Sequence, residues 1–258
     1  MTMILMPPKF VAFDLETTGL NNQKDEIIEI GAVKFTVETK NGKVVPKLLG
    51  ELETFVKPNM MIPAEASAVN HIYDSDVQDA PAVGDAIKKF TEFCGQSSIL
   101  IAHNANFDAS FLRVAYQNNP QLVPGNPVID SLAISKAILP EASSHKLGIL
   151  ANMFKRHDEI AMNIESDKMH RAVYDCLMLM EVFVALLRRR FKEKDWEMAC
   201  IMKNMEKYKG IPQFINKYTC FKFAYQCEHS FVRIFYYKRP LLKKKPPLSE
   251  RSIRFLVI

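Results

Sequence analysis

The chain has 258 residues, 48% of them hydrophobic, and a formal net charge of +5. That is enough for one large domain, or one domain with an extension, around a sizeable core. Its longest apolar runs fall far short of the ~18 residues a membrane span needs, and the opening MTMILMPPKF lacks the basic start and long apolar stretch of a secretory signal, so a cytoplasmic protein without membrane contact is expected.

In chain order, residues 9–15 read as a buried strand. IIEIGAVKFTVE (27–38) alternates apolar and polar residues as a half-buried strand does. NGK at 41–43 signals a turn, and 48–57 reads as a returning strand, which gives an antiparallel three-stranded start. Residues 63–70 suit a short helix. Residues 79–95 suit an amphipathic one, with Val83, Ile87, Phe90 and Phe93 spaced for one face. SILIAH (98–103) is a short buried strand, followed by a helix from Asn106, a residue suited to the N-cap. PVID (127–130) is another short strand, HKLGILANMF (145–154) is helical, and 171–190 form a long last helix. Alternating strands and helices after residue 80 imply parallel additions to the sheet. Five cysteines (Cys94, Cys176, Cys200, Cys220 and Cys227) form no CxxC pair and read as reduced thiols.

Carboxylates are where the sequence departs from ordinary packing. In FVAFDLETTGL, Asp14 and Glu16 stand two apart on a strand and project from one face, with Phe13 and Leu15 on the other. Two acids held so close repel, and burial makes the repulsion worse. HNANFD sets Asp108 just inside a helix start, and HRAVYD sets Asp175 in the first turns of the last helix. Divalent cations would offset four such acids, and hard oxygen ligands suit Mg²⁺ or Mn²⁺. Two ions about 3.5–4 Å apart can clamp the attacking and leaving oxygens of a phosphodiester displacement. His170 has the right pKa range for a base. On a continuous helix five residues turn by about 500°, so His170 and Asp175 would face apart. His170 is therefore expected in the loop before the helix, free to swing over the metals.

Each residue alone has a plainer reading. Asp14 could end a strand, Asp108 could sit at a helix N-terminus for its dipole, His170 could cap or face solvent, and Asp175 could pair with Arg171 at i−4. The chain order and spacing make the combination specific. FDLETTGL, HNANFD and HRAVYD together resemble the three-motif signature of the DEDDh 3′–5′ exonucleases. EIIEIGAVKF, VNHIYDSDVQDAP and HKLGILANMF extend the likeness over about residues 8–190. Within that family the chain resembles the proofreading epsilon subunit of bacterial DNA polymerase III and the exonuclease domain of Gram-positive-type replicative polymerases.

The resemblance implies a ribonuclease H-like α/β fold, a five-stranded mixed sheet flanked by helices, over residues 1–190. It implies two divalent cations, Mg²⁺ or Mn²⁺: Asp14, Glu16 and Asp175 would hold one, Asp14 and Asp108 the other, with His170 as the base. Thr17 and Thr18 would grip the 3′ nucleotide, with Leu20 near its base and Asn104 and Phe107 lining the pocket. Glu65 and Asn70 would approach the terminal sugar. The chain departs from the family at Asn70-His71, where Thr-Gly or His-Gly is common; the missing glycine removes easy access to positive φ. The implied activity is removal of nucleoside 5′-monophosphates from single-stranded or frayed 3′ DNA ends, in polymerase proofreading, with a DNA polymerase catalytic subunit as partner. The alternative is an RNA exonuclease of the ribonuclease T or oligoribonuclease kind. A non-catalytic binding or scaffolding subunit is a further reading, against which the intact set of four acids and a histidine argues.

Residues 191–258 form a basic, aromatic-rich extension of uncertain structure. From residue 188 onward there are 18 Lys+Arg against 6 Asp+Glu, a net of +12, while residues 1–187 carry −7. Ten aromatics lie among residues 210–258, with basic residues between them. Such a tail could guide a single strand by stacking, bind a protein partner, or lack a fixed fold. FKFAYQ and FVRIFYY are its candidate strands.

Overall fold

The computed structural model describes residues 9–40, 43–122, 124–165 and 169–191, with the pairs 220–221 and 238–239. Five strands form one mixed sheet: β1 (Phe10–Thr17), β2 (Ile27–Lys40), β3 (Lys43–Phe55), β4 (Ile99–Ala102) and β5 (Val128–Asp130), in spatial order β3-β2-β1-β4-β5. β1 pairs antiparallel with β2, and β2 with β3; β1 and β4, and β4 and β5, run parallel. The expected ribonuclease H-like α/β arrangement is therefore present. β1 sits at its centre, where the sheet changes from antiparallel to parallel.

Two apolar layers explain why β1 is buried on both faces. Phe10 and Ala12, with Val33, Phe35, Ile99 and Ile101, face α6 (Leu147–Arg156) and α7 (Ala172–Phe191). The Phe10 ring lies 5.3 Å from Phe35 and 5.4 Å from Phe183. Val11, Phe13 and Leu15, with Ile30, Ala32 and Leu100, face α3 (Val83–Cys94) and α4 (Asn106–Gln117). Each fully buried side chain of this size contributes about 1.5–3 kcal/mol over its exposed state, so both faces hold β1 in register. A smaller group, Ile28, Ile62, Ile72 and Val77, packs α1 (Ala64–Asn70) and α2 (Asp74–Val77) beside the sheet. α5 (Ser131–Ile138) follows β5 directly.

Several boundaries differ from the sequence reading. β3 begins at Lys43, five residues earlier than read, and includes Pro46. Proline is tolerated there because β3 is an edge strand. α3 begins at Val83, after Pro81, and not at residue 79. Asn106 is not the N-cap of α4. The cap is Ala105, and the Asp130 carboxylate at the end of β5 accepts from the Asn104 and Ala105 N–H groups at 2.9 and 3.3 Å. Those bonds hold the turn that leads into α4, and the cap residue itself makes no side-chain cap hydrogen bond. The strands expected in FKFAYQ and FVRIFYY lie outside the described residues, apart from Phe221. It belongs to a short antiparallel pair, β6 (Cys220–Phe221) with β7 (Lys238–Arg239). Among the described residues no helix is long and apolar enough to cross a membrane.

Candidate active site

The opening row of β1 changes character along its length. Phe10 and Ala12 enter the α7-side core, and the next two residues on that face are Asp14 and Glu16. Their cross-strand partners on β2 are Gly31 and Glu29. A Cβ on Gly31 would lie 2.3 Å from the Ala172 carbonyl carbon, so the bare glycine lets the first residues of α7 come down onto the sheet beside Asp14. Asp175 lies in the first turn of α7.

Asp108 arrives from the parallel side. β1 and β4 are paired only as far as Ala12 and Ile101, so Leu15 lies beyond that ladder. Its N–H donates to Asp108 Oδ1 at 3.1 Å, and Asp108 is only 2% exposed. Helix α4 thus delivers a carboxylate where the strand pairing runs out. This is the C-terminal end of adjacent parallel strands, the region where open α/β sheets place their ligands.

His170 lies immediately before α7, in the left-handed region with φ 64°, exposed to solvent. One ligand atom each from Glu16, His170 and Asp175 falls within a 4.8 Å span, a grouping able to hold a metal ion. The loop placement expected for His170 is thus found. Arg171 is not paired with Asp175. Its guanidinium donates to Glu29 at 2.9 Å and to Glu53 at 3.2 Å.

The charges here are under strain of a kind that cations relieve. Burial, and then the neighbouring Asp108, Glu16 and Asp175 charges, push the Asp14 carboxyl well above the usual range. Burial, followed by Asp175 and Glu29, lifts Glu16 to about 9. Asp108 is raised to about 7 by burial, partly offset by backbone hydrogen bonds that include Leu15 N–H. Asp175 is raised by burial to about 6, with His170 pulling the other way. Asp175 Oδ1 is buried and has no hydrogen-bond partner among the described residues. An orphaned carboxylate oxygen among mutually repelling acids fits a divalent cation.

The residues expected to touch substrate lie around this cluster. Thr17 Oγ1 donates to Gly19 O at 2.6 Å; Thr18 Oγ1 accepts from Glu26 N–H at 2.9 Å. Those bonds fix the loop after β1, at whose tip Leu20 is 87% exposed. Buried Asn70 donates to Thr17 O at 3.4 Å and accepts from Ile72 N–H at 3.1 Å, while Glu65 is exposed in the first turn of α1. His71 takes φ 57°, so the left-handed turn after α1 forms without the glycine. Asn104 is exposed with φ 69°, and the Phe107 ring lies 5.1 Å from Phe111.

Glu29 was not singled out from the sequence. It is fully buried, and its carboxylate also accepts from the Ala172 N–H at 3.0 Å. The available signal was an acid between Ile28 and Ile30 in a strand that must pair with the one carrying Asp14 and Glu16.

Comparison with known proteins gives this geometry its family. Residues 11–183 match the Exonuclease model RNase_T. The chain belongs to this exonuclease family. Among its relatives, the PolC-type DNA polymerase III of Bacillus subtilis strain 168 is 39% identical over 173 residues, which is 67% of this chain and 11% of that polymerase. The corresponding polymerase of Caldanaerobacter subterraneus subsp. tengcongensis is 38% identical over 181 residues, 70% of this chain and 12% of the polymerase. The chain thus spans about an eighth or less of these relatives' length. Solved structures of like fold include a full-length 3′-exonuclease, with TM-score 0.58, 16% identity, 72% of this chain and 63% of that one. E. coli Exonuclease I in complex with a dT13 oligonucleotide gives TM-score 0.55 and 16% identity, over 72% of this chain and 42% of that one. The DEDDh resemblance read from FDLETTGL, HNANFD and HRAVYD therefore holds at the level of the family.

Proposed function

We propose that the protein is a cytoplasmic, metal-dependent 3′–5′ exonuclease that removes nucleoside 5′-monophosphates from single-stranded or frayed DNA 3′ ends, and that it proofreads for a DNA polymerase. The observation that carries this reading is the convergence of Asp14, Glu16, Asp108 and Asp175, from β1, α4 and α7, beside an exposed His170. Support for DNA and for a polymerase catalytic subunit as partner comes from the PolC-type relatives.

Asp14, Glu16, Asp108 and Asp175 would hold two divalent cations, Mg²⁺ or Mn²⁺. When bound, these supply Lewis acidity at the scissile phosphodiester and make water a stronger acid. His170, exposed and within reach of Glu16 and Asp175, accepts the proton of the attacking water. A bond forms from water oxygen to phosphorus, the bond to the 3′ oxygen of the penultimate nucleotide breaks, that oxygen takes a proton from solvent to become a 3′ hydroxyl, and a nucleoside 5′-monophosphate leaves. Thr17 and Thr18 shape the loop that receives the terminal nucleotide. Leu20 offers its exposed side chain to the base, and Asn104 and Phe107 line the same pocket. Asn70 and Glu65 approach the sugar from α1.

The test is digestion of a 3′-OH single-stranded DNA by the full chain with Mn²⁺, beside a matched RNA. Mononucleotide release from DNA, lost in Asp14→Ala with the fold intact, is the expected result. Faster turnover of the RNA would favour the ribonuclease T or oligoribonuclease kind of activity, and undiminished cleavage by Asp14→Ala would refute the assignment.

A further inference from the structure

Glu29 and Arg171 form a charged clamp under the start of α7. Glu29 is fully buried and stands opposite Glu16 in the β1–β2 register. One of its oxygens takes the Ala172 N–H at 3.0 Å, and the other takes the Arg171 guanidinium at 2.9 Å. Arg171 reaches on to Glu53 of β3 at 3.2 Å and lies over the Phe55 ring, 5.3 Å from its centroid. Ala172 is the first residue of α7, and its N–H is one that a helix cannot satisfy internally. A buried acid so close to Glu16 adds to the repulsion among the carboxylates. A neutral side chain could have accepted the same N–H without that penalty.

On the other side of His170, the Met169 side chain packs over Gly148 of α6; a Cβ there would lie 2.3 Å from Met169 Cε. His170 is thus a left-handed residue held between two fixed neighbours, and Asp175 follows one turn later.

We propose that Glu29 is a positioning residue: with Arg171 and the Ala172 N–H it fixes where α7 begins, and so sets His170 and Asp175 against Glu16. This rests on the exonuclease reading, so the experiment carries a readout independent of turnover. Glu29→Gln, Arg171→Gln and the double variant are compared with wild type in the full chain. Mn²⁺ affinity is measured by calorimetry without DNA, kcat and KM on single-stranded DNA, and Tm by thermal scan, with assays kept well below the lowest Tm. A Phe154→Leu variant in the α6 core serves as a comparison of equal destabilisation.

Each single variant is expected to weaken Mn²⁺ binding and lower kcat by about 10–100-fold, the range for outer residues that orient metal ligands. KM should stay within about three-fold, and the double variant should be no worse than the poorer single, because the two residues act through one another. Phe154→Leu should lose Tm and keep kcat. If Glu29→Gln does not fold, Arg171→Gln, which keeps the Glu29–Ala172 bond, decides alone. Wild-type Mn²⁺ affinity and kcat in the folded variants would overturn the positioning role, as would losses that Phe154→Leu reproduces. An inactive wild type would overturn the exonuclease reading, and Mn²⁺ affinity would then still decide whether Glu29 orders the site.

Discussion

Asp14 faces four unfavourable neighbours: Asp108, Glu16, Asp175 and Glu29 all raise its proton affinity on top of burial. An uncharged side chain of the same shape should relieve that repulsion and remove the function together. Asp14→Asn is expected to raise Tm in EDTA, by about 2–4 °C per kcal/mol recovered, while turnover falls by about 10³-fold or more. A lower Tm with activity retained would mean that the acid is a structural partner. The pH dependence follows from the same groups. Glu16 is lifted to about 9, Asp108 to about 7 and Asp175 to about 6, all above their unfolded values. The folded chain therefore binds more protons than the unfolded one across that interval. The stability these groups contribute is fully present at acid pH and is lost as pH rises through the folded values. Cations take the place of those protons, so Mn²⁺ should raise Tm more at about pH 8.5 than at about pH 5. Equal increments at both would argue against ions binding this cluster. His170 is exposed, just before α7. Replacing it with Ala should cost about 10²–10⁴-fold in kcat and leave Tm in EDTA nearly unchanged.

Among the elements, the contact between α7 and β2 matters most for the site, and Gly31 permits it. A methyl there would meet the backbone of Ala172 and Val173 at 2.3 and 2.5 Å, atoms that cannot step aside as a flexible side chain can. Gly31→Ala should lift the start of α7 and cost about 1–3 kcal/mol, the range for overpacking, with kcat falling further than stability alone explains. Gly50→Ala on β3, where the nearest atom is the Phe93 ring edge at 3.7 Å, is the comparison and should be near neutral. This contrast also marks what the sequence could tell. Strand alternation at 27–38 and the paired spacing of Asp14 and Glu16 were legible, because side-chain direction along one strand depends only on that strand. The partners of those residues were not. Glu29 looked like one more polar position in an alternating strand until α7 was laid over it. Asp130 holds the turn before α4 from more than twenty residues away, a contact that the residues around Asn106 do not reveal locally. Pro46 hid the first half of β3 because its tolerance depends on the strand being at the edge. The left-handed turn at His71 shows the reverse: the missing glycine suggested a changed turn, yet the bonds of Ser67 and Asn70 to the backbone of Ile72 accompany the same geometry.

Over the whole molecule, the charge distribution poses a problem that the described domain does not solve by itself. Residues 1–191 carry 19 Lys+Arg against 23 Asp+Glu, a net of −4, and the candidate site gathers several of those carboxylates in one place. Residues 192–258 carry 15 against 6, a net of +9. On the proposed reading, that segment would draw a polyanion to the protein, helped locally by cations in the site. Among the described residues, both large core clusters are built from residues between Phe10 and Leu187, and a cut after Phe191 removes none of these. The truncated protein is therefore expected to keep its Tm and its kcat at saturating DNA. Its affinity for single-stranded DNA should fall, and the slope of log K against log salt should flatten by about 0.7 for each phosphate the tail had neutralised. Binding measured at several salt concentrations checks this. If affinity and slope both survive the truncation, the positive charge of residues 192–258 serves a protein partner instead, and the acidic domain holds DNA through its cations alone.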